Sequence, residues 1–342
     1  MADAAQRPAG LTGAPPTGVR SAHPPSTAPP NPNDSVAHTS PRETVYRPRH
    51  PLDLDRTVGV LRRGGTDPTM HREGSRIWLA FRTPSGVATL ALRAATGEVR
   101  ATAWGPGADE ALASVPRLCG ADDDPTGFDA SRHPLIAETA RRNPGLRLAR
   151  TDRVFDALAA SIIEQKVTTM QAFGAWRSLV TRYGERAPGP APRALFAAPP
   201  PEVWRRIPSW AWHRAGVQPP QSRTLVGAAA RGASVQRAVA AAADGPARDR
   251  VLTSLPGVGV WTASETRARS LGDPDAVSVG DFHLAHHVGY ALTGSRTDDD
   301  GMLELLAPWE GHRHRVIRLI LASGATEPRR GPRLAPEDHR RR

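Results

Sequence analysis

The chain has 342 residues, 39% of them hydrophobic, which is room for two ordinary domains plus tails. Its 45 Lys and Arg against 34 Asp and Glu leave a net charge of +11, the balance of a protein that meets a polyanion, nucleic acid or an anionic membrane. Cys119, the only cysteine, rules out a disulfide within the chain, a four-thiolate iron–sulfur cluster and a cysteine-built zinc site.

Compositional bias is the other source of that charge. The chain is rich in Ala, Arg, Gly and Pro, and Lys166 is its only lysine, as in products of GC-rich genomes. No apolar run approaches the roughly 20 residues of a membrane span. The N-terminus lacks the charged-then-apolar profile of a secretory signal. A soluble cytoplasmic protein without a membrane partner is expected, bacterial and associated with the nucleoid.

Residues 1–42 are dominated by Pro, Ala, Ser and Thr and hold no aromatic residue, so they read as a disordered tail. Residues 43–128 read as a small α+β domain. After a helical "DLDRTVGVLRRG", the runs "RIWLAFR", "GVATLALRAA" and "EVRATAW" form an antiparallel meander joined by "TPSG" and "ATGE" turns. Trp78 and Ala80 take one face of the first strand, and Ile77, Leu79 and Phe81 take the other. A second helical stretch, "GADEALASVPRLCG", follows.

Residues 129–327 read as a compact all-α domain. "DRVFDALAASIIEQ" repeats Phe155, Leu158, Ala159, Ile162 and Ile163 at helical spacing, one buried stripe with Thr151 or Asp152 as its cap. "TTMQAFGAWRSLVTRYGE" closes at Gly184, and "PQSRTLVGAAARGA", "ARDRVLTSL", "WTASETRARSL", "DFHLAHHVGYAL", "DDDGMLELLA" and "HRHRVIRLILAS" supply further helices. Residues 328–342 read as a second, basic disordered tail. The fold class is thus mainly α, with a small α+β domain and an antiparallel sheet in front.

Two features carry chemistry. In "RVLTSLPGVGVWTASE" five residues, Leu255 to Gly259, must reverse the chain between two helices. Gly257 and Gly259 permit unusual backbone angles and leave amides uncovered. The second helix then opens with free N–H groups and a positive dipole end, a site for phosphate. Leu255 and Val258 would anchor the turn in the core. About twenty residues on, Asp281 in "SVGDFHL" heads a helix whose Leu284, Val288, Ala291 and Leu292 share a face. Asp is a preferred N-cap, so capping alone would account for it. Asp273 and Asp275 fall in a turn-like "GDPD" read as solvent-facing.

The string "LPGVGVWTA" and the aspartate at that distance resemble the helix-hairpin-helix DNA glycosylase superfamily. "DRVFDALAASIIEQKVT" is similar to the opening of its catalytic domain, and "APWEGHRHRVIRLIL" to its closing helix. The front part, from "PLDLDRTVGVLRRGGTDPT" through the meander, resembles the alkylation-repair subgroup typified by 3-methyladenine DNA glycosylase II. The resemblance spans about residues 45–325. It implies a monomer that binds double-stranded DNA, flips out a damaged base and hydrolyses its N-glycosidic bond in base excision repair, with Asp281 as the catalytic carboxylate.

The resemblance also assigns the other candidates. Gly257, Gly259, Val260 and Thr262 would hold the DNA backbone, and Gln165 or Lys166 would fill the gap left by the flipped base. Trp261 stands where bifunctional relatives carry the lyase lysine, which implies a monofunctional enzyme without lyase activity. Trp261 is then a pocket wall or a core tryptophan. Glu265 stands where the alkylation-repair type has a pocket tyrosine, and the closing aromatic near Leu321 is missing. Trp210 and Trp212 offer replacement aromatic surface or core packing. Relatives carry a monovalent cation, Na or K, on hairpin carbonyls that correspond to Thr253, Leu255 and Val258; the chemistry itself needs no cofactor. His286, His287, His312 and His314 have no metal-site spacing and read as surface or phosphate-facing groups. Beside alkylated bases, two other readings fit these departures: deaminated or other damaged bases as substrates, or a non-catalytic damage-binding protein. Such a binding module would have no use for a carboxylate beside phosphates.

Overall fold

The computed structural model describes residues 40–327, so the segments read as tails lie almost wholly outside the described residues. One tail boundary is corrected: Arg42 already opens strand β1 (Arg42–Tyr46). After β1 come the short helix α1 (Leu54–Thr57), capped by Asp53, and a 3-10 turn at Gly59–Leu61. Strands β2 (Met70–Glu73), β3 (Arg76–Thr83), β4 (Gly86–Ala95) and β5 (Glu98–Trp104) follow, then helices α2 (Ala108–Ala113) and α3 (Val115–Leu118).

The sheet has five antiparallel strands in the order β1-β5-β4-β3-β2, not the three of the meander. Both additional strands are edges. "RETVY" and "MHRE" are short, polar and largely exposed, the usual guard against edge-to-edge pairing, and so carry little alternation to read. The face bearing Ile77, Leu79 and Phe81 packs with Leu90 and Leu92 beneath α2 and α3. The opposite face, with Trp78, Ala80, Val87 and Ala91, is covered by Ala187, Leu195 and Ala197.

That cover comes from a two-stranded ladder, β6 (Glu185–Arg186) with β7 (Phe196–Ala197), inserted into the helical part. Helices α4 (Pro134–Arg142), α5 (Val154–Glu164) and α6 (Thr169–Tyr183) precede it. After it run α7 (Pro201–Trp204), α8 (Ser209–Ala215), α9 (Pro219–Ala230), α10 (Gly232–Ala241), α11 (Gly245–Thr253), α12 (Val260–Leu271), α13 (Leu284–Thr293), α14 (Asp299–Leu306) and α15 (Arg313–Ser323). The periodicity missed α4, α7, α8 and α10. In α4 the buried positions are Ile136 and Thr139, and in α10 only Gly232, Val235 and Val239, too few to make a stripe.

One cluster of buried side chains surrounds α5, and a second joins α4 with α13, α14 and α15. Helix α5 is buried all round except at Asp156 and Glu164, not along one stripe, because α6, α9, α10 and α12 enclose it. Neither Thr151 nor Asp152 caps it: Arg153 holds the N-cap position without a side-chain bond, and Asp152, at φ +55°, pairs with Arg150 and Arg117. Among the described residues no helix is long and apolar enough to cross a membrane.

Candidate active site

The hairpin forms as its residues require. Helix α11 ends at Thr253, the Val258 amide donates to the Leu255 carbonyl at 3.0 Å, and α12 starts after Gly259. Leu255 and Val258 are buried in the core around α5. Gly257 sits at φ +84°, and a Cβ there would collide with the Thr224 hydroxyl. Gly259 differs from expectation. Its backbone is extended, at φ −98° and ψ −177°, and a Cβ would meet nothing. Its lack of a side chain leaves open space in front of the hairpin instead of permitting a turn. No side chain caps α12, so its first-turn amides stay available, and Val260 is 55% exposed beside them.

Two proposed DNA contacts point inward. The Gln165 side chain donates to the Gly257 carbonyl at 3.0 Å and to the Thr262 hydroxyl at 2.9 Å, which ties the loop after α5 to the hairpin. Gln165 is therefore committed and not free to enter a duplex. Thr262 is buried and can offer a phosphate only its backbone amide. Lys166 is exposed, at φ +53°, and Met170, one turn on, is 77% exposed.

Asp281 follows α12 in the chain and comes back to meet its first turn. Its Oδ1 accepts the amides of His283 (2.9 Å) and Leu284 (3.0 Å), and its Oδ2 accepts the Trp261 indole N–H at 3.1 Å. The residue at the N-cap of α13 is His283, so Asp281 caps the helix from two positions upstream. Trp261, the second residue of α12, thus faces the carboxylate it would orient. It is partly buried, neither core filler nor a lining residue of the pocket described next.

The two nearby aspartates face the other way from their solvent-side reading. Asp273 is only 7% exposed and pairs with Arg267 at 2.7 Å, and Asp275 pairs with Arg313. The buried Arg267 and the partly buried Arg313 are matched by these carboxylates, which a turn-like string alone does not reveal.

Asp281 stands at a pocket of about 450 Å³ between α12, α13, α15 and the front domain, which adds Thr57, Val60 and Leu61. Polar groups from α12 and α15 face each other in it. Glu265 accepts Arg269 at 3.0 Å and the Ser278 hydroxyl at 2.6 Å. Burial pushes its carboxyl up, but Arg269 and the Ser278 hydroxyl outweigh this and hold it below the usual range. On α15, burial and then the Arg318 charge push His314 down to about 4, so its imidazole is neutral at physiological pH. Burial and then Arg269 pull Arg318 down to about 10, which leaves it charged.

His314 is thus a pocket residue and not a surface group. His287 also lines the pocket and meets the Ala325 carbonyl, while His286 and His312 meet the carbonyls of Thr297 and Thr126. No cluster of metal-ligating side chains exists among the described residues. Among the described residues no Phe, Tyr or Trp lines the pocket. Trp212 is buried and stacks on Trp204, and Trp210 stands 49% exposed between Arg182 and Arg214. The charged lining had a partial signal in Glu265, with Arg269 at i,i+4 from it on α12; Arg318 carried none, since facing a cavity has no sequence period.

No family model matches the chain. A curated DNA-3-methyladenine glycosylase of Bacillus subtilis is 25% identical over 194 residues, which are 55% of this chain and 64% of that protein, so the match spans just under two thirds of the relative. Among solved structures, a 3-methyladenine DNA-glycosylase from Archaeoglobus fulgidus superposes with a TM-score of 0.68 at 15% identity, covering 81% of this chain and 97% of that one. An 8-oxoguanine glycosylase/lyase of Clostridium acetobutylicum gives 0.65 at 12% identity in its apo form, with coverage of 82% and 96%. The same enzyme with double-stranded DNA gives 0.62 at 13%, with the same coverage. The chain shares the fold of these DNA glycosylases.

Proposed function

We propose that the chain is a monofunctional DNA glycosylase of base excision repair that flips a damaged base into the pocket beside Asp281 and hydrolyses its N-glycosidic bond. The observation that carries this is the carboxylate itself. Asp281 is held by three donors and lines a base-sized pocket beside a phosphate-ready hairpin.

In this reading the first-turn amides of α12, with Gly257 and Gly259, grip a backbone phosphate near the lesion. The C1′–N bond breaks with its electron pair going to the base, and Asp281 stabilises the positive charge left on the sugar. Water then bonds to C1′ through oxygen. One of its protons is released to the departing base, or to solvent if the base left from a cationic form. Asp281 returns unchanged, so every step runs through the chain's own residues and water. The carbonyls of Thr253, Leu255 and Val258 are oxygen donors suited to a hard monovalent cation, and Leu255 already serves the turn by accepting Val258. Na or K there would stiffen the hairpin and counter a phosphate.

Alkylated purines are the substrate class that the sequence resemblance implies, and the Bacillus subtilis relative is named for one. A second class, neutral bases with a carbonyl edge, is favoured by a pocket that holds arginines and no Phe, Tyr or Trp. Retention of the Asp281 geometry argues against a purely binding role, since a carboxylate beside phosphates weakens binding. The deciding experiment is single-turnover base release from duplexes bearing a panel of lesions, with Asp281→Asn as the comparison. Release by the native protein and its near-abolition in the variant are expected; equal release by both would end the proposal.

A further inference from the structure

Three arginines line the pocket. Arg56 pairs with Asp53 at 3.3 Å, and Arg269 pairs with Glu265 at 3.0 Å. Arg318 differs from both: among the described residues no carboxylate lies within 4.0 Å of it. Asp123, the acid that could compensate it at longer range, is already bound by both terminal nitrogens of Arg315. Arg318 spends one N–H on the Arg56 carbonyl at 2.7 Å. A guanidinium has five N–H donors, so most of its fork is uncommitted. Its neighbour one turn back on α15, His314, is neutral and adds no negative charge. The Asp281 carboxylate, also in the lining, already serves three donors. An uncompensated cation partly withdrawn from water is costly, and a bound acceptor is what removes that cost.

On the reading of this pocket as the base site, we propose that Arg318 recognises a ring carbonyl of the extruded base and so selects neutral carbonyl-bearing purines over cationic N-alkylated ones. A guanidinium hydrogen-bonds a carbonyl oxygen directly, and its charge strengthens as an acceptor the oxygen of a base that leaves with the bonding electrons. A base that is already cationic meets like charge instead, without a Phe, Tyr or Trp face in the lining to offset it. Two lesions share the required chemistry: a deaminated purine with its carbonyl at the six position, and an 8-oxopurine with one at the eight position.

The test uses the full chain and duplexes that carry hypoxanthine, 8-oxoguanine or 3-methyladenine, the last cationic and without a carbonyl. Each rate is divided by spontaneous base loss from the same duplex. Greater enhancement for hypoxanthine or for 8-oxoguanine than for 3-methyladenine is expected, and which of the two leads identifies the carbonyl read. In Arg318→Met the ratio of carbonyl-base to 3-methyladenine enhancement should fall by about 10²-fold. Arg318→Lys, which keeps the charge and can still donate, should lose less of that ratio and serves if the Met variant fails to fold. Enhancement of 3-methyladenine loss equal to or above that of both carbonyl bases would overturn the inference while leaving the glycosylase reading intact. So would an equal slowing of all three substrates in Arg318→Met, the mark of a strut between α15 and α1. Failure to release any base would overturn both together.

Discussion

Helix α12 carries two very different working surfaces. At its N-terminus the hairpin presents backbone amides, held by a turn bond, one left-handed glycine and the Gln165 clamp. Two turns further, the same helix contributes Glu265 and Arg269 to a pocket completed by α15 and the front domain. The first surface is local and carries no base information, as suits a phosphate found in every sequence. The second is assembled from distant segments and bears charges that differ with every choice of side chain. On the proposed function, such a division would let a generic DNA grip remain while the pocket is retuned for another base.

The comparison is sharpest at the carboxylates. Asp281→Asn should lower single-turnover base release by about 10³-fold, some 4 kcal/mol on the barrier, with binding to abasic DNA held or improved. Trp261→Phe removes one of its three donors and should cost about tenfold with little change in thermal midpoint. Wild-type rates in Asp281→Asn would remove the catalytic role proposed for that carboxylate. Asp273→Asn should act oppositely. It leaves Arg267 buried with a weakened partner, so unfolding in urea should show a loss of about 3 kcal/mol. The surviving folded fraction should release base at the native rate.

At the hairpin the two glycines separate folding from binding. Gly257→Ala places a Cβ in the left-handed region and against Thr224, and should destabilise the fold by about 2 kcal/mol. Gly259→Leu points into open space, so the midpoint of unfolding should move by less than about 0.5 kcal/mol. Its affinity for damaged and undamaged duplex should drop together; a loss confined to one lesion would assign the hairpin to the pocket. The smallest expected signal is a covalent one. Lys166 lies on an exposed loop outside the pocket lining, and the resemblance puts Trp261 where bifunctional relatives carry the lyase lysine. Borohydride should therefore trap no enzyme–DNA adduct, and an adduct lost in Lys166→Ala would show that the chain nicks its substrate.

Much of this architecture was legible without coordinates, because it rests on short-range rules. Alternation at Ile77–Phe81 placed three strands, and "LPGVG" placed the turn between α11 and α12. The place of Asp281 at the head of the next helix came from resemblance and spacing. The edge strands, α4 and α10 were not legible: few of their side chains are buried, so their sequences carry no period. The all-round burial of α5 was hidden for the opposite reason, since a helix enclosed by four others has no polar face to mark it.

What the sequence by itself determined is therefore the backbone of the site: a glycine where φ must be positive, apolar anchors at Leu255 and Val258, and a carboxylate at a fixed distance along the chain. Only the tertiary structure decided what each charge does. Asp273 and Asp281 are the same residue eight positions apart, yet one is buried against Arg267 while the other caps α13 and meets Trp261. Arg269 is matched by Glu265 and Arg318 is left unmatched, because the first pair lies one turn apart on a single helix and the second faces a cavity. Turn geometry is set by neighbours in the chain. The worth of a charge is set by neighbours in space and by how much water they exclude.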